Sequence, residues 1–281
     1  CPTKHPRTPK PAKMKQSSAL VEDTQSNLLR QTRIRRNHVG STSQRLFFPK
    51  RGKSASSDLN TSIMFTTKSH PGIKICGIRS ATQATEIIAA GADALGFNLW
   101  EKSKRYVSLP DLKSWLPDLR GDVFLVAVVV NPSVELLSEI VESKLFHAIQ
   151  LHGDETPADV EQLMERNVEV IKALQVRDRA SLGQIADFPT ANVLLDSYNP
   201  GLYGGAGESF PWELAVTARE LYPDKRIFLA GGLTPHNVRL AVNQAHPFAV
   251  DVASGVESAP GVKDIGLVRH FIDEVSAAER A

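Results

Sequence analysis

Between residues 72 and 253 the chain repeats one pattern eight times, a short apolar run followed by a longer amphipathic stretch, and this rhythm narrows its fold most. The apolar runs are 72–78, 94–100, 123–130, 147–152, 168–174, 192–197, 226–231 and 248–253. Their length suits strands, and an unbroken run such as Val123-Phe124-Leu125-Val126-Ala127-Val128-Val129-Val130 fits a parallel strand buried on both faces. The amphipathic stretches predict helices over 80–90, 109–116, 133–143, 157–166, 178–186, 211–221, 235–245 and 264–277. Ser80 supplies an N-cap for the first, and Thr234-Pro235 reads as an N-cap with proline at the first helical position of the seventh. Eight β-α units in succession predict an α/β protein with one (β/α)8 barrel. The alternative, an open doubly wound sheet, usually carries G-x-G-x-x-G after its first strand, where this chain has Cys76-Gly77-Ile78-Arg79-Ser80.

The barrel pattern leaves the first 63 residues uncovered, and they differ in composition. They carry 13 Lys/Arg against 3 Asp/Glu, a net charge of +10, whereas residues 64–281 carry 20 and 28, a net of −8. Without sustained apolar periodicity this stretch buries too little surface to offset the entropy of ordering it, so residues 1–63 are expected to form a disordered basic extension and 64–281 the catalytic barrel. Its basic, Ser-rich, acid-poor character also fits an organellar transit peptide, or a segment preceding a start at Met64. The barrel itself has no apolar run long enough to span a bilayer, and two cysteines in 281 residues give no disulfide framework. The expectation is a cytoplasmic protein, or an organellar one if the extension is a transit peptide. No membrane or nucleic-acid partner is expected.

In such barrels chemistry gathers just after the C-terminal ends of the strands. The first run ends in Cys76, a lone thiol placed as a candidate base or nucleophile, although a free cysteine is as often a small core residue. Lys74, two residues earlier, shares its face, and its ammonium would favour the thiolate. Asp251 on the neighbouring eighth run is positioned to hold that lysine. The second run leads into Lys102-Ser103-Lys104-Arg105, where Arg105 suits a carboxylate or phosphate with two parallel hydrogen bonds. His152 follows the fourth run as a supporting residue, and no second His or Cys stands near it at metal-ligand spacing. Asp196 closes an apolar run and precedes a long glycine-rich stretch, 198–207, suited to a lid; partial burial there would make it a general acid. Gly231-Gly232 after the seventh run and Ser254-Gly255 after the eighth, with a short helix expected there, form the usual phosphate-binding position.

These residues, in this order, resemble the phosphoribosylanthranilate isomerase family of tryptophan biosynthesis. The resemblance rests on Lys74-Ile75-Cys76-Gly77-Ile78, Gly91-Ala92-Asp93-Ala94-Leu95-Gly96-Phe97, Lys102-Ser103-Lys104-Arg105-Tyr106, Gln150-Leu151-His152-Gly153, Leu194-Leu195-Asp196-Ser197, Leu229-Ala230-Gly231-Gly232-Leu233 and Asp251-Val252-Ala253-Ser254-Gly255-Val256-Glu257. It implies an Amadori rearrangement of N-(5-phosphoribosyl)anthranilate, with Asp196 as general acid and Cys76 as general base. It further implies Arg105 on the anthranilate carboxylate, and Gly232, Ser254 and Gly255 on the phosphate. No metal and no organic cofactor is implied, and the protein would act as a monomer or a homodimer. Two departures stand out. Glu101 occupies a place where the family often has proline, which would loosen that loop. Val129-Val130-Asn131 replaces a commoner Phe-Val-Asn, which would widen the pocket wall.

Other phosphate-binding barrels fit less well. A thiamine-phosphate synthase-like enzyme would need carboxylates for magnesium diphosphate, and a ribulose-phosphate epimerase-like one would need metal-binding histidines; neither set is visible. A nucleic-acid-binding protein led by its basic extension would need that extension and tolerate loss of Cys76. A chain beginning at Met64 is therefore predicted to fold and to isomerise phosphoribosylanthranilate, as followed by circular dichroism and a fluorescence assay of phosphoribosylanthranilate consumption. Loss of folding or of activity would show that the extension belongs to the working enzyme.

Overall fold

The computed structural model describes residues 70–197 and 210–278. The extension at 1–63, Met64 and the glycine-rich stretch at 198–207 lie outside the described residues.

Eight parallel strands, β1 (Gly72–Cys76), β2 (Ala94–Asn98), β3 (Phe124–Val129), β4 (Ala148–Leu151), β5 (Glu169–Val176), β6 (Asn192–Ser197), β7 (Arg226–Leu229) and β8 (Ala249–Val252), pair in sequence order into a closed barrel. β1 closes the ring against β8 with Lys74 opposite Asp251. Each strand lies within two residues of its predicted run at both ends. The helices around them are α1 (Ala81–Ala89), α2 (Leu109–Lys113), α3 (Val134–Ser143), α4 (Pro157–Glu165), α5 (Trp212–Leu221), α6 (Val238–Ala245) and α7 (Ile265–Ser276).

Local chemistry explains most boundaries. Ser80, Ser108, Ser133, Thr156 and Asp264 each cap a helix by accepting a backbone N–H three residues on. Three expectations are corrected. The predicted helix over 109–116 stops at Lys113, because Pro117 disfavours helical backbone at Leu116, and a 3-10 turn follows over Leu116–Leu119. The segment 178–186 is 3-10 throughout (Arg179–Asp187), capped by Asp178. The seventh predicted helix starts three residues late, at Val238, and Thr234-Pro235 lie in a turn before it. Asn237 ties that turn, accepting from Thr234 N at 2.8 Å and donating to Gly232 O at 3.0 Å.

Strand parity sorts the side chains into two layers. Odd-numbered β1 positions Ile73 and Ile75 join the layer between strands and helices, with Leu95, Phe97, Leu125, Ala127, Val193, Leu195, Val250 and Val252. The opposite parity fills the barrel interior with Cys76, Val126, Val128, Ala148, Ile171, Ala173, Leu194, Phe228, Ala230 and Ala249. Near the N-terminal ends Phe228 packs on Phe248 (centroids 5.5 Å apart), so the interior is filled from below and opens only toward the C-terminal ends.

One buried ion pair fixes two of the loops at that end. Lys172 on β5 points outward, and its Nζ donates to Glu155 Oε2 at 2.8 Å, Gly153 O at 2.7 Å and Leu151 O at 3.3 Å. Glu155 Oε1 in turn accepts from Asn131 N at 2.8 Å. The pair therefore joins the loops after β3 and β4. Among the described residues no helix is long and apolar enough to cross a membrane.

Removing one partner of a buried pair strands the other charge in a poorly solvated site. Glu155→Ala is predicted to lower stability by about 3 kcal/mol in equilibrium urea unfolding. An unchanged midpoint would show that Lys172 finds equivalent partners without it.

Candidate active site

At the C-terminal end of the barrel lies a cavity of about 540 Å³. Inward-facing strand residues Cys76, Asn98, Val128, Asp196 and Asp251, with His152 just after β4, form its floor. Its rim comes from the loops after β2, β7 and β8, including Lys102, Arg105, Gly232 and Ser254. The structure thus brings together seven of the nine candidate residues. Lys74 lies beneath the floor, wholly buried. Gly255 sits behind Ser254 with its Cα so close to Leu233 that an added Cβ would collide with the Leu233 carbonyl. The short helix expected after β8 is a single 3-10 turn, Ser254–Val256, followed by a hairpin of β9 (Glu257–Ala259) and β10 (Val262–Lys263).

Cys76 stands over the pair formed by Lys74 Nζ and Asp251 Oδ1, 2.7 Å apart. Burial works against the Lys74 ammonium, but the Asp251 carboxylate and Cys76 outweigh it and hold the lysine above its ordinary range. For Cys76 the balance runs the other way. Burial pushes the thiol up and Asp251 adds to this, while Lys74 and Lys263 pull it down by less. The ammonium does favour the thiolate, as its position on the same face suggested, but burial outweighs it and holds the thiol above its ordinary range. Space for this arrangement comes from Gly96 on β2, where a Cβ would stand 2.8 Å from Cys76 Sγ and 3.1 Å from Lys74 Nζ.

Across the cavity floor, Asp196 Oδ1 accepts from Ser197 N at 2.8 Å and Oδ2 faces His152 Nε2 at 3.2 Å. Gln150 Nε2 lies 2.9 Å from His152 Nδ1. With the amide donating to Nδ1, the Nε2 proton of the imidazole points to Asp196. His152 is thereby a positioning group for the carboxyl. Gly231 adopts φ +83°, and a Cβ there would press on Ser197 N at 2.8 Å and Asp196 Oδ1 at 3.0 Å, so glycine lets the β7 loop close over this carboxyl.

Arg105 reaches the rim by crossing Gly77, where any side chain would overlap its stem. Its Nε and Nη2 donate to the two oxygens of Glu257 at 2.7 and 2.8 Å. Glu257 Oε1 also accepts from Lys263 Nζ at 2.8 Å. Sequence reasoning missed this role of Glu257 and all of Lys263, which lie 152 and 158 positions from Arg105 and have no local signal. Gly96 had one, since a glycine within a buried strand often marks a close approach. Val129, expected to widen the wall, faces the outer layer and lines a separate cavity of about 400 Å³ beside the loop after β2. The cavity wall itself is made by Val128 and Val130. Among the described residues no group of three His, Cys, Asp or Glu side chains is placed to hold a metal ion.

Comparisons with known proteins agree on one family. The family model for N-(5'-phosphoribosyl)anthranilate (PRA) isomerase matches residues 73–274. The N-(5'-phosphoribosyl)anthranilate isomerase of Trichlorobacter lovleyi is 43% identical over 206 residues, covering 73% of this chain and 98% of that protein. The crystal structure of phosphoribosyl anthranilate isomerase from Thermotoga maritima is 37% identical with a TM-score of 0.66, covering 73% of this chain and 98% of that one. A phosphoribosyl anthranilate isomerase in complex with reduced 1-(o-carboxyphenylamino)-1-deoxyribulose 5-phosphate is 36% identical with a TM-score of 0.63 over the same shares.

Because burial and Asp251 both raise the Cys76 thiol, its thiolate absorbance near 240 nm is predicted to appear only above the ordinary thiol range of about 8.5. Subtracting the Cys76→Ala protein, which keeps Cys1, isolates the signal. Asp251→Asn removes an anion and should move this titration to lower pH. A Cys76 that ionises near neutrality in the unaltered protein would contradict the assignment.

Proposed function

The chain belongs to the N-(5'-phosphoribosyl)anthranilate isomerase family, and we propose that Asp196 and Cys76 are the acid and base of its reaction. That reaction is the Amadori rearrangement of N-(5-phosphoribosyl)anthranilate to 1-(2-carboxyphenylamino)-1-deoxyribulose 5-phosphate, a step of tryptophan biosynthesis. The observation that carries the assignment is a carboxyl and a thiol facing the same cavity from β6 and β1, each held by its own partner.

Asp196 protonates the ribose ring oxygen, and the C1′–O bond breaks as the nitrogen lone pair forms the Schiff base. Cys76 as thiolate removes the C2′ proton, and the electrons fall into the iminium to give a neutral enolamine. The 2′-hydroxyl then returns its proton to Asp196 while the Cys76 thiol protonates C1′, giving the ketone. Both groups end as they began, so no proton is gained or lost in the cycle.

The productive enzyme therefore carries its proton on Asp196 and not on Cys76. His152 orients the carboxyl toward the ring oxygen. Arg105, on the rim, takes the anthranilate carboxylate. Backbone amides of Gly232, Ser254 and Gly255 take the phosphate, with the ribose between acid and base. The reading involves a small phosphosugar substrate and residues of this chain alone, with no cofactor.

Positioned acids and bases contribute about 10²- to 10⁴-fold. Asp196→Asn and Cys76→Ala are each predicted to lower kcat by that order while product-analogue binding persists. In a tryptophan auxotroph lacking this step, the unaltered gene should restore growth and the Cys76→Ala gene should not. Near-normal kcat in either variant would remove that residue from its role.

A further inference from the structure

Arg105 is already engaged by a carboxylate that belongs to the protein. Glu257 takes its Nε and Nη2 protons in a bidentate pair. Glu257 also accepts from Lys263, which donates in addition to Ala253 O at 2.9 Å. The side chains of Glu257 and Lys263 are 5% and 2% exposed, so this is a built cluster and not a surface pairing. Burial opposes the Glu257 charge, yet the two cations hold its carboxyl below the ordinary range.

The geometry decides what Arg105 has left to offer. A guanidinium is planar and carries five N–H donors. The Glu257 pair uses the Nε–Nη2 edge and leaves the Nη1–Nη2 edge with donors for a second carboxylate. Because the group is flat and rigid, fixing one edge fixes where the other points. The charges also match: two cations and one anion leave a single positive charge, which one carboxylate neutralises. Glu257 and Lys263 sit on the β9–β10 hairpin, whose Ser258, Ala259 and Pro260 line the cavity. Gly261 holds that hairpin close to the loop after β2, where a Cβ would come within 3.1 Å of Lys104 O.

We propose that Glu257 is a positioning residue: it sets the plane of Arg105 so that the free edge reads the aryl carboxylate, and thereby determines preference for a carboxylated over an uncarboxylated aryl group. This rests on the reading of Arg105 as the carboxylate's partner. Without Glu257, Arg105 and Lys263 would attract an anion but would not orient it.

The test compares two probes by calorimetry on the full chain: the reduced product analogue with its o-carboxyphenylamino group, and the same compound with a plain phenylamino group. The unaltered protein should prefer the carboxylated probe. Glu257→Gln should cut that preference by about tenfold, the scale of one charge-assisted hydrogen bond, and leave the phenylamino probe's affinity unchanged. In kinetics the same variant should raise KM with kcat nearly retained. Arg105→Gln should abolish the preference. If Arg105→Gln abolishes it and Glu257→Gln keeps it, the role of Glu257 is wrong and that of Arg105 stands. If both keep it, the reading of Arg105 is wrong. Equal weakening of both probes in Glu257→Gln would mark a purely structural residue and overturn the proposal. The double variant Glu257→Gln/Lys263→Met leaves no unpaired charge on the hairpin and gives the same readout if the single variant does not fold.

Discussion

The ion pair between Lys74 and Asp251 lies where β1 meets β8, at the seam that closes the barrel. Both charges are taken out of water, at a cost that only close contact offsets. A hydrophobic pair could close the seam equally well, so the pair's position is better explained by what stands above it. Cys76 is two residues along the same strand face, where burial raises its thiol and the two members of the pair push it in opposite directions. Closing the fold and setting the base are one arrangement. Gly96 completes it, because any side chain on the adjacent strand would occupy the space that the thiol and the ammonium share.

The rest of the site follows from parity and from the loops that parity leaves at the top. Inward positions at the strand ends carry Cys76, His152, Asp196 and Asp251, whereas outward positions on the same strands are aliphatic and hold the helices. In the proposed mechanism rigid strands thus present the acid and base, and the loops the groups that grip the two ends of a substrate. The loop after β2 and the hairpin after β8 are joined by Arg105 and Glu257. The loops after β3 and β4 are joined by Lys172, Glu155 and Asn131. Charged contacts buried in the rim do for the loops what the hydrogen-bond ladder does for the strands.

The strands and most helices were legible because each states its own burial: Val123 to Val130 can be little other than a doubly covered strand, and Ser80 or Thr156 announces a helix start locally. The candidate acid, base and phosphate loops were legible because a barrel places chemistry at known positions along each strand. What escaped depended on distant partners. Thr234-Pro235 looks like a cap, but Asn237 holds that stretch as a turn against Gly232. Arg105 looks free from its neighbours Lys102 and Lys104, and its partner comes from the far end of the chain. The protonation state of Cys76 is set by burial, which no residue type specifies.

The claim at the centre is that Cys76 removes the C2′ proton as a thiolate with a raised pKa. Single-turnover isomerisation of substrate deuterated at C2′, in the unaltered and the Cys76→Ala proteins, tests it most directly. The account predicts a primary isotope effect on the chemical step of the unaltered protein, and a chemical step slowed by about 10²- to 10⁴-fold in the Cys76→Ala protein. A rate with no isotope effect, or a Cys76→Ala protein that transfers the proton at the unaltered rate, would contradict it.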